Sequence, residues 1–380
     1  ASDRRAFLRR AGQLGVAGIA TPWALNLASF GEAAAFTASD YKALVCVFLY
    51  GGNDYGNTVV PYDATNYAKY AAIRTGIATP RANLAATALT PSVALPNGQQ
   101  LALAPEMTAL KGLFDAGKLA VQLNVGPLVQ PTTLAQYNAK SVPLPPKLFS
   151  HNDQQSVWQA SSPEGAVTGW GGRLGDMAMS NNGNSTFSCI SVSGNAVFVA
   201  GRTALQYQVG TTGAVPIAGI KSAAFGSTAV SSAVQSLSTQ SSSHVLQNEY
   251  ARIIQRSISS ETAVSAALAG VAPFRTSFPA NNPLATQLQV VAKLIAASSV
   301  MGTRRQVFFV SLGGFDLHDN LPSQHPGLLT NVSNAMAAFY NTTVELGVQN
   351  SVTAFTASDF GRTFASNGDG SDHGWGSHHF

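Results

Sequence analysis

A continuous apolar run near the start of the chain is the feature that most restricts its fold. Residues 43–50 read ALVCVFLY and stop at the turn sequence Gly51-Gly52-Asn53-Asp54. A strand with one face in solvent alternates polar and apolar residues, whereas an unbroken run is typical of a strand covered on both faces in a parallel sheet. Helical patterns then alternate with further apolar runs, at 105–116, 119–125, 283–298, 306–312, 326–346 and 351–356. This alternation predicts an α/β fold with a mostly parallel central sheet between helices.

The composition changes in the middle of the chain. From about 180 to 280 the sequence is rich in Ser, Ala, Gly and Thr, with weak strand signals at 187–192 and 196–199 and a helical pattern at 245–258. We expect this stretch to be an elaboration inserted into a single α/β domain that spans 40–380. The pattern closes on residues 377–380 with no further helix or strand, so we also expect a truncated C-terminus.

The first 35 residues have the pattern of an export signal. Arg4 and Arg5 precede Phe7 and Leu8, and a weakly apolar stretch then leads to small residues at 33–35. This arrangement resembles a twin-arginine signal; an amphipathic helix or a membrane anchor is the alternative. Because polar residues and Pro22 interrupt the apolar stretch, we expect no stable membrane span. The prediction is a periplasmic or secreted protein that meets the twin-arginine (Tat) translocase during export.

Composition excludes several classes of protein. Charged residues make up 11% of the chain, against roughly 25% in an average soluble domain. The formal net charge is +4, without a basic cluster interleaved with aromatic residues, so we expect no nucleic acid partner. The two cysteines lie in apolar runs and are expected to be packed thiols rather than a disulfide or a metal site. Phosphate-loop, HExxH and GxSxG motifs are absent from the sequence.

Histidine and aspartate gather towards the end of the chain. Five of the seven histidines lie at or beyond position 318. Asp316 and His318 follow a predicted strand, and Asp372 and His373 are adjacent in the last loop. The carboxyl ends of parallel strands share one edge of a sheet, where ligands bind, and carboxylate with imidazole is a donor set for a divalent metal. The sequence therefore predicts a metal site there, although any single histidine alone would read as a surface or capping residue.

Three further residues have both a chemical and a plain structural reading. Asp54 follows the first strand, where it is either a ligand or part of a turn. Ser150 is predicted at the N-cap of a helix, and such a serine also faces unpaired N–H groups that favour an anion such as phosphate. Arg362 follows the last strand and either neutralises the same anion or forms a surface salt bridge.

Seven sequence segments together resemble a known family. They are GGND, FSHNDQQSVWQ, GWGGRLGD, VFFVSLGGFDLHDN, QHPGLL, VTAFTASDFGRT and DHGWG. With the leader, this order resembles the exported bacterial family of domain of unknown function 1501 over nearly the whole chain. That family is similar to the alkaline phosphatase and sulfatase superfamily, so the resemblance implies an alkaline-phosphatase-like sheet with one or two metals at the strand ends.

The resemblance also implies roles for individual residues. Ser150 would be the nucleophile, unless the site retains only one metal and activated water attacks directly; Arg362 is a catalytic candidate through its position after the last strand alone. The implied metal ligands are Asp54, Asp316 with His318 or His325, Asp359, Asp372 with His373, and His378 or His379. Two departures matter. Phe360 stands where the superfamily has a histidine after aspartate, so one imidazole is missing unless His373 replaces it, and neither cysteine lies in the C-x-P-x-R setting of sulfatases.

The sequence supports two hypotheses of different class. The first is an exported hydrolase of phosphate esters, with sulfate esters as the weaker option, that uses a divalent metal. We expect zinc, with magnesium, manganese or calcium as alternatives, and a small-molecule or surface-polymer ester as substrate. The second is a non-catalytic exported binding or cell-surface assembly protein that has kept the fold.

Overall fold

The computed structural model describes residues 40–380, so the predicted export signal at 1–35 lies outside the described residues. The strands are β1 Lys42–Leu49, β2 Val59–Pro61, β3 Leu101–Leu103, β4 Gln122–Val125, β5 Cys189–Ser191, β6 Tyr207–Gly210, β7 Gly213–Ala214, β8 Arg305–Leu312, β9 Val352–Ser358 and β10 Ser377–His379. The α-helices are α1 Tyr55–Thr58, α2 Ala64–Ile73, α3 Thr108–Asp115, α4 Leu134–Ala139, α5 His151–Ala160, α6 Trp170–Ala178, α7 Ala218–Lys221, α8 Thr228–Thr239, α9 Val245–Ala269, α10 Pro283–Ala296 and α11 Leu321–Glu345.

A six-stranded central sheet organises the chain in the order β7-β6-β5-β8-β1-β9. The pair β6–β7 is antiparallel and the other neighbours are parallel. The predicted α/β class with a mostly parallel sheet between helices is therefore confirmed. Leu49 at the end of β1 pairs with Leu312 of β8 and Ser358 of β9. Because these three strands end in register, the loops that follow them leave the same edge of the sheet.

Strand β1 has the two covered faces that its sequence predicts. Val45 and Val47 belong to one core cluster, which contains residues of α10 and α11. Cys46 and Phe48 point the other way, into a second cluster against which residues of α6 pack. Truncating Phe48, which is fully buried, would cost about 3–5 kcal/mol by the usual cost of a large core deletion. The unbroken apolar run is thus explained by burial on both sides of the sheet.

Two predicted strands differ from the structure. Residues 119–125 were expected to form a buried strand, but β4 is half exposed and pairs antiparallel with β10 in a separate two-stranded sheet. Residues 196–199 form a single 3₁₀ turn, Val197–Val199, instead of a strand. Apolar composition alone carries no information about which strand, if any, is the hydrogen-bonding partner.

The stretch from 180 to 280 contributes to the central sheet as well as projecting from it. Strands β5, β6 and β7 extend the sheet beyond β8, and helices α7, α8 and α9 follow. Cys46 and Cys189 are buried free thiols, as predicted. Within residues 40–380, no helix combines the length and the apolar character needed to cross a membrane.

Candidate metal centre

Three segments deliver imidazole and carboxylate groups to the carboxyl edge of the sheet. His151 is the first residue of α5, Asp316 follows β8, and His373 lies in the loop after β9. One ligand atom from each lies within 4.8 Å of the others. His318 lies beside them, with its Nε2 3.1 Å from Asp316 Oδ1 and 2.9 Å from His373 Nε2. We call these four residues the imidazole cluster.

The Nε2 atoms of the cluster point at one carboxylate. His151 Nε2 lies 3.3 Å from Asp316 Oδ2, and His373 Nε2 lies 3.2 Å from Asp316 Oδ1. Each ring is oriented through its other nitrogen, because Nδ1 meets an oxygen that only accepts. The Nδ1 contacts are His151 to Asp359 Oδ2 at 2.7 Å, His373 to the Phe149 carbonyl at 2.7 Å and His318 to Asp372 Oδ1 at 3.3 Å. In the tautomer whose Nδ1–H donates to these oxygens, a neutral ring has its lone pair on Nε2.

This arrangement fits a cation. In that tautomer three Nε2 lone pairs point towards one carboxylate, and such groups repel one another unless a proton or a metal ion lies among them. Outer oxygen acceptors that fix the Nδ1 proton are the usual support of metal-binding histidines, and nitrogen donors with one carboxylate suit zinc better than magnesium or calcium. In the metal-free protein the pKa of His151 is raised, first by its hydrogen bond to Asp359, although partial burial opposes this.

Arg362 forms hydrogen bonds to Asp316 and to backbone carbonyls beside the cluster. Its Nη1 donates to Asp316 Oδ1 at 2.6 Å and to the Gly51 carbonyl at 3.2 Å, and its Nη2 donates to the Ser371 carbonyl. Partial burial works against ionisation of Asp316, but hydrogen bonding and charge from Arg362 prevail and lower its pKa. Because Arg362 is itself buried, its contacts are those of a group that holds Asp316, and no face of the guanidinium is open to an anion.

Ser150 occupies the predicted position at the N-cap of α5. Its hydroxyl donates to Asp153 Oδ2 at 2.8 Å, one turn further along the same helix, and that hydrogen bond is the main reason that the pKa of Asp153 is lowered. The Lys147 ammonium lies 3.5 Å from the same oxygen. The hydroxyl thus turns towards Asp153, and its role as a nucleophile stays a prediction.

Asp54 contacts an arginine and not the imidazole cluster. Its Oδ2 lies 2.5 Å from Nη2 of Arg74, whose side chain is completely buried. Asn57 accepts a hydrogen bond from Arg74 Nε and fixes the guanidinium from another side. Burial raises the pKa of Asp54 in spite of the two nearby arginines, Arg74 and Arg362. The predicted ligand is therefore half of a buried ion pair, and its Oδ1 has no hydrogen-bond partner among the described residues.

Three histidines that were predicted as ligands contact residues other than those of the imidazole cluster. His325 Nε2 lies 3.0 Å from Asn53 Oδ1, and burial lowers its pKa to about 3. His378 Nδ1 accepts from the backbone N–H of Asn124 at 3.1 Å, and burial lowers its pKa to about 4. His379 is buried with its ring edge against Trp158. Asp359 and Asp372, also predicted as ligands, instead accept from the Nδ1 atoms of the imidazole cluster.

Sequence reasoning missed His151. It stands directly after Ser150 in FSHND, so the available signal was its place at a helix start beside a candidate site residue. Phe360 lies beside one imidazole of the cluster. The His373 ring lies 4.5 Å from the Phe360 ring, and an antiparallel bridge between Arg362 and His373 folds the last loop back over β9. His373 thus places its imidazole next to Phe360, and its role as the replacement ligand stays a prediction.

Fold and site together define a mixed α/β protein with a candidate metal centre at the carboxyl edge of a mostly parallel sheet. The chain belongs to the family described as protein of unknown function (DUF1501), whose sequence model matches residues 41–380. Comparison with curated proteins gave no match, and comparison with solved structures gave none.

Proposed function

We propose that this chain is an exported, metal-dependent hydrolase of phosphate esters with an alkaline-phosphatase-like fold, acting on a small molecule or a surface polymer. The observation that carries the proposal is the convergence of three imidazole Nε2 atoms on Asp316, with an oxygen acceptor on each Nδ1. Export is supported by the leader containing Arg4 and Arg5 alone.

The order of the site along the chain supports this class of reaction. Candidate groups follow β1, begin α5, follow β8 and follow β9, which is the order implied by the resemblance to the alkaline phosphatase and sulfatase superfamily. Open α/β sheets bind ligands at this edge. Both cysteines are buried, so neither is placed to mature into a sulfatase nucleophile. Phosphate esters are therefore proposed ahead of sulfate esters.

Some residues of the cluster would hold the metal ion and another would transfer a proton. A zinc ion held by His151, Asp316 and His373 would polarise the ester and activate water for attack. His318 is the most exposed imidazole of the cluster, with 46% of its side chain exposed. Since Asp372 holds its Nδ1 proton, His318 is oriented to accept a proton from water at Nε2. Water is proposed as nucleophile rather than Ser150, because the Ser150 hydroxyl already donates to Asp153.

Metal analysis and ester hydrolysis test the proposal together. The purified protein should hold at least about one divalent ion per chain and hydrolyse p-nitrophenyl phosphate faster than the sulfate. Asp316→Asn should lose both metal and activity, whereas His318→Gln should keep the metal and lose turnover. His244→Ala, at an exposed histidine that caps α9, is the matched control and should change neither. A folded protein that stays metal-free after dialysis against zinc would refute the metal site.

The second candidate is a non-catalytic exported binding or cell-surface assembly protein. It is favoured by the buried pair of Asp54 and Arg74 and by Phe360, which occupy positions where the resemblance implies metal ligands. This candidate predicts a bound metal without hydrolysis of either ester. The two outcomes are separated by the same measurements.

A further inference from the structure

A helical hairpin projects from the body of the protein with little packing of its own. It consists of α8, the turn at 240–244 and residues 245–258 of α9, and we call it the helical arm. Between positions 222 and 259 the only buried residues are Ser231 and Ala251. Helices of this length are marginal in water without tertiary contacts. The arm therefore lacks, within the described monomer, the packing that would hold it.

One face of the arm is apolar. Its large apolar residues recur at the helical spacing i, i+4, i+7 on both helices, namely Val230, Val234 and Leu237 on α8 and Leu246, Tyr250 and Ile253 on α9. Leu237, Leu246 and Tyr250 are 73%, 75% and 59% exposed. These three also line one open groove of about 540 Å³ between the helices, so the two stripes meet at the end of the arm next to the turn. An amphipathic stripe normally faces a core, and here it faces solvent.

We propose that the helical arm is a homodimerisation surface, in which two arms pack face to face as a four-helix bundle around a two-fold axis. A standard stable interface buries about 800 Å² on each partner, and the six stripe residues, which are 37–75% exposed, are the apolar surface that such an interface would cover.

The charged residues beside the stripe on α9 favour a second copy of this chain as the binding partner. Glu249 and Arg256 lie on the same flank of the stripe, seven residues apart on α9, and neither forms an ion pair among residues 40–380. When two such helices cross antiparallel about a two-fold axis, equivalent flanks meet, as in antiparallel coiled coils. Glu249 of each copy then faces Arg256 of the other. The same surface therefore carries both the negative and the positive charge of the ion pairs in the dimer.

The test is the mass of the full chain in solution, measured by sedimentation equilibrium over a range of concentrations. The wild type should be a dimer, and Tyr250→Glu or Leu246→Glu should weaken association at least tenfold, because each places a charge in the centre of the interface. Val300→Glu introduces the same charge at a residue that is 79% exposed elsewhere and should leave the dimer intact. Circular dichroism checks that each variant folds.

Charge reversal tests the pairing itself. Glu249→Arg should weaken the dimer, and adding Arg256→Glu to it should restore association, since opposite signs face each other again. A wild type that remains monomeric at about 100 μM, where even weak dimers form, would overturn the proposal. A dimer that survives both Tyr250→Glu and Leu246→Glu would overturn it as well. Neither result depends on metal binding or hydrolysis.

Discussion

Asp359 offers the sharpest test of the candidate metal centre, because it is either a ligand or the acceptor that orients one. Its Oδ2 accepts from His151 Nδ1 at 2.7 Å and from Gln155 Nε2 at 2.8 Å, whereas its buried Oδ1 has no partner among the described residues. An acceptor on Nδ1 fixes the tautomer that leaves the His151 Nε2 lone pair free for a metal. We therefore expect Asp359 to act through His151.

The expected loss of zinc affinity depends on which hydrogen-bonding groups each substitution keeps at position 359. In Asp359→Asn the amide oxygen can stay between the two donors while the amide nitrogen takes the unpartnered side. Only the charge is lost, and zinc affinity should fall about tenfold, which is about 1.4 kcal/mol. In Asp359→Ala the acceptor itself is gone and the His151 ring is free to change tautomer. Affinity should fall about 100-fold, the upper end for an outer support of a ligand.

Two measurements distinguish the roles. Competitive zinc titration gives the affinities, and nitrogen NMR of the metal-free protein reports the His151 tautomer, which should shift in Asp359→Ala and persist in Asp359→Asn. Asp319→Ala, at an exposed aspartate close by, is the control and should alter neither. If both Asp359 variants lose more than a thousandfold in affinity while the tautomer stays unchanged, Asp359 binds the metal directly and the reasoning is refuted.

The remaining predictions concern supporting residues. Asp54→Ala should lower the free energy of unfolding by about 3–5 kcal/mol, because it leaves Arg74 buried without its counter-charge; a loss below 1 kcal/mol in urea denaturation, followed by tryptophan fluorescence, would contradict this. Ser150→Ala should keep its metal and at least a tenth of the turnover number, and complete loss of hydrolysis would instead make Ser150 the nucleophile. Asp176 accepts three backbone N–H bonds from residues 202–204; burial opposes ionisation, but these bonds prevail and lower its pKa. The stabilising contribution of Asp176 should therefore be complete above its unfolded-state pKa of about 3.9. It should fade as the pH falls through the lower pKa of the folded state. The difference in melting temperature between wild type and Asp176→Asn should therefore shrink in acid.

The central sheet was predictable where burial leaves a mark in the sequence. Strand β1 has no polar residue between Ala43 and Leu49, and a run of that kind has few places in a fold other than between two layers of helices. Residues 119–125 were also predicted as a buried strand, but β4 within them contains Gln122 and Asn124, is half exposed and pairs with β10 outside the central sheet. Pairing depends on partners far along the chain, and local composition does not encode them.

The candidate site was predictable in its location and only partly in its members. Ligands of open α/β sheets gather after parallel strands, and this predicted Asp316 and His373 at one edge, where the structure brings them together with His151. Pairing of Asp54 with Arg74 depends on how α2 packs, and the carbonyl that orients His373 belongs to Phe149, whose backbone takes a φ of 75° that is unusual for a bulky residue. A backbone oxygen has no signature in the sequence.

The balance of charge favours one metal ion over two. Around the imidazole cluster, Asp316, Asp359 and Asp372 contribute three carboxylates, and Arg362 contributes one guanidinium. The remaining two negative charges would match the charge of a single divalent ion. Asp54, the further carboxylate that a second ion would use, is already neutralised by Arg74. Because Arg74 already gives Asp54 a counter-charge, a second metal would find no uncompensated carboxylate there, and the proposed reaction would rely on a single ion and on His318.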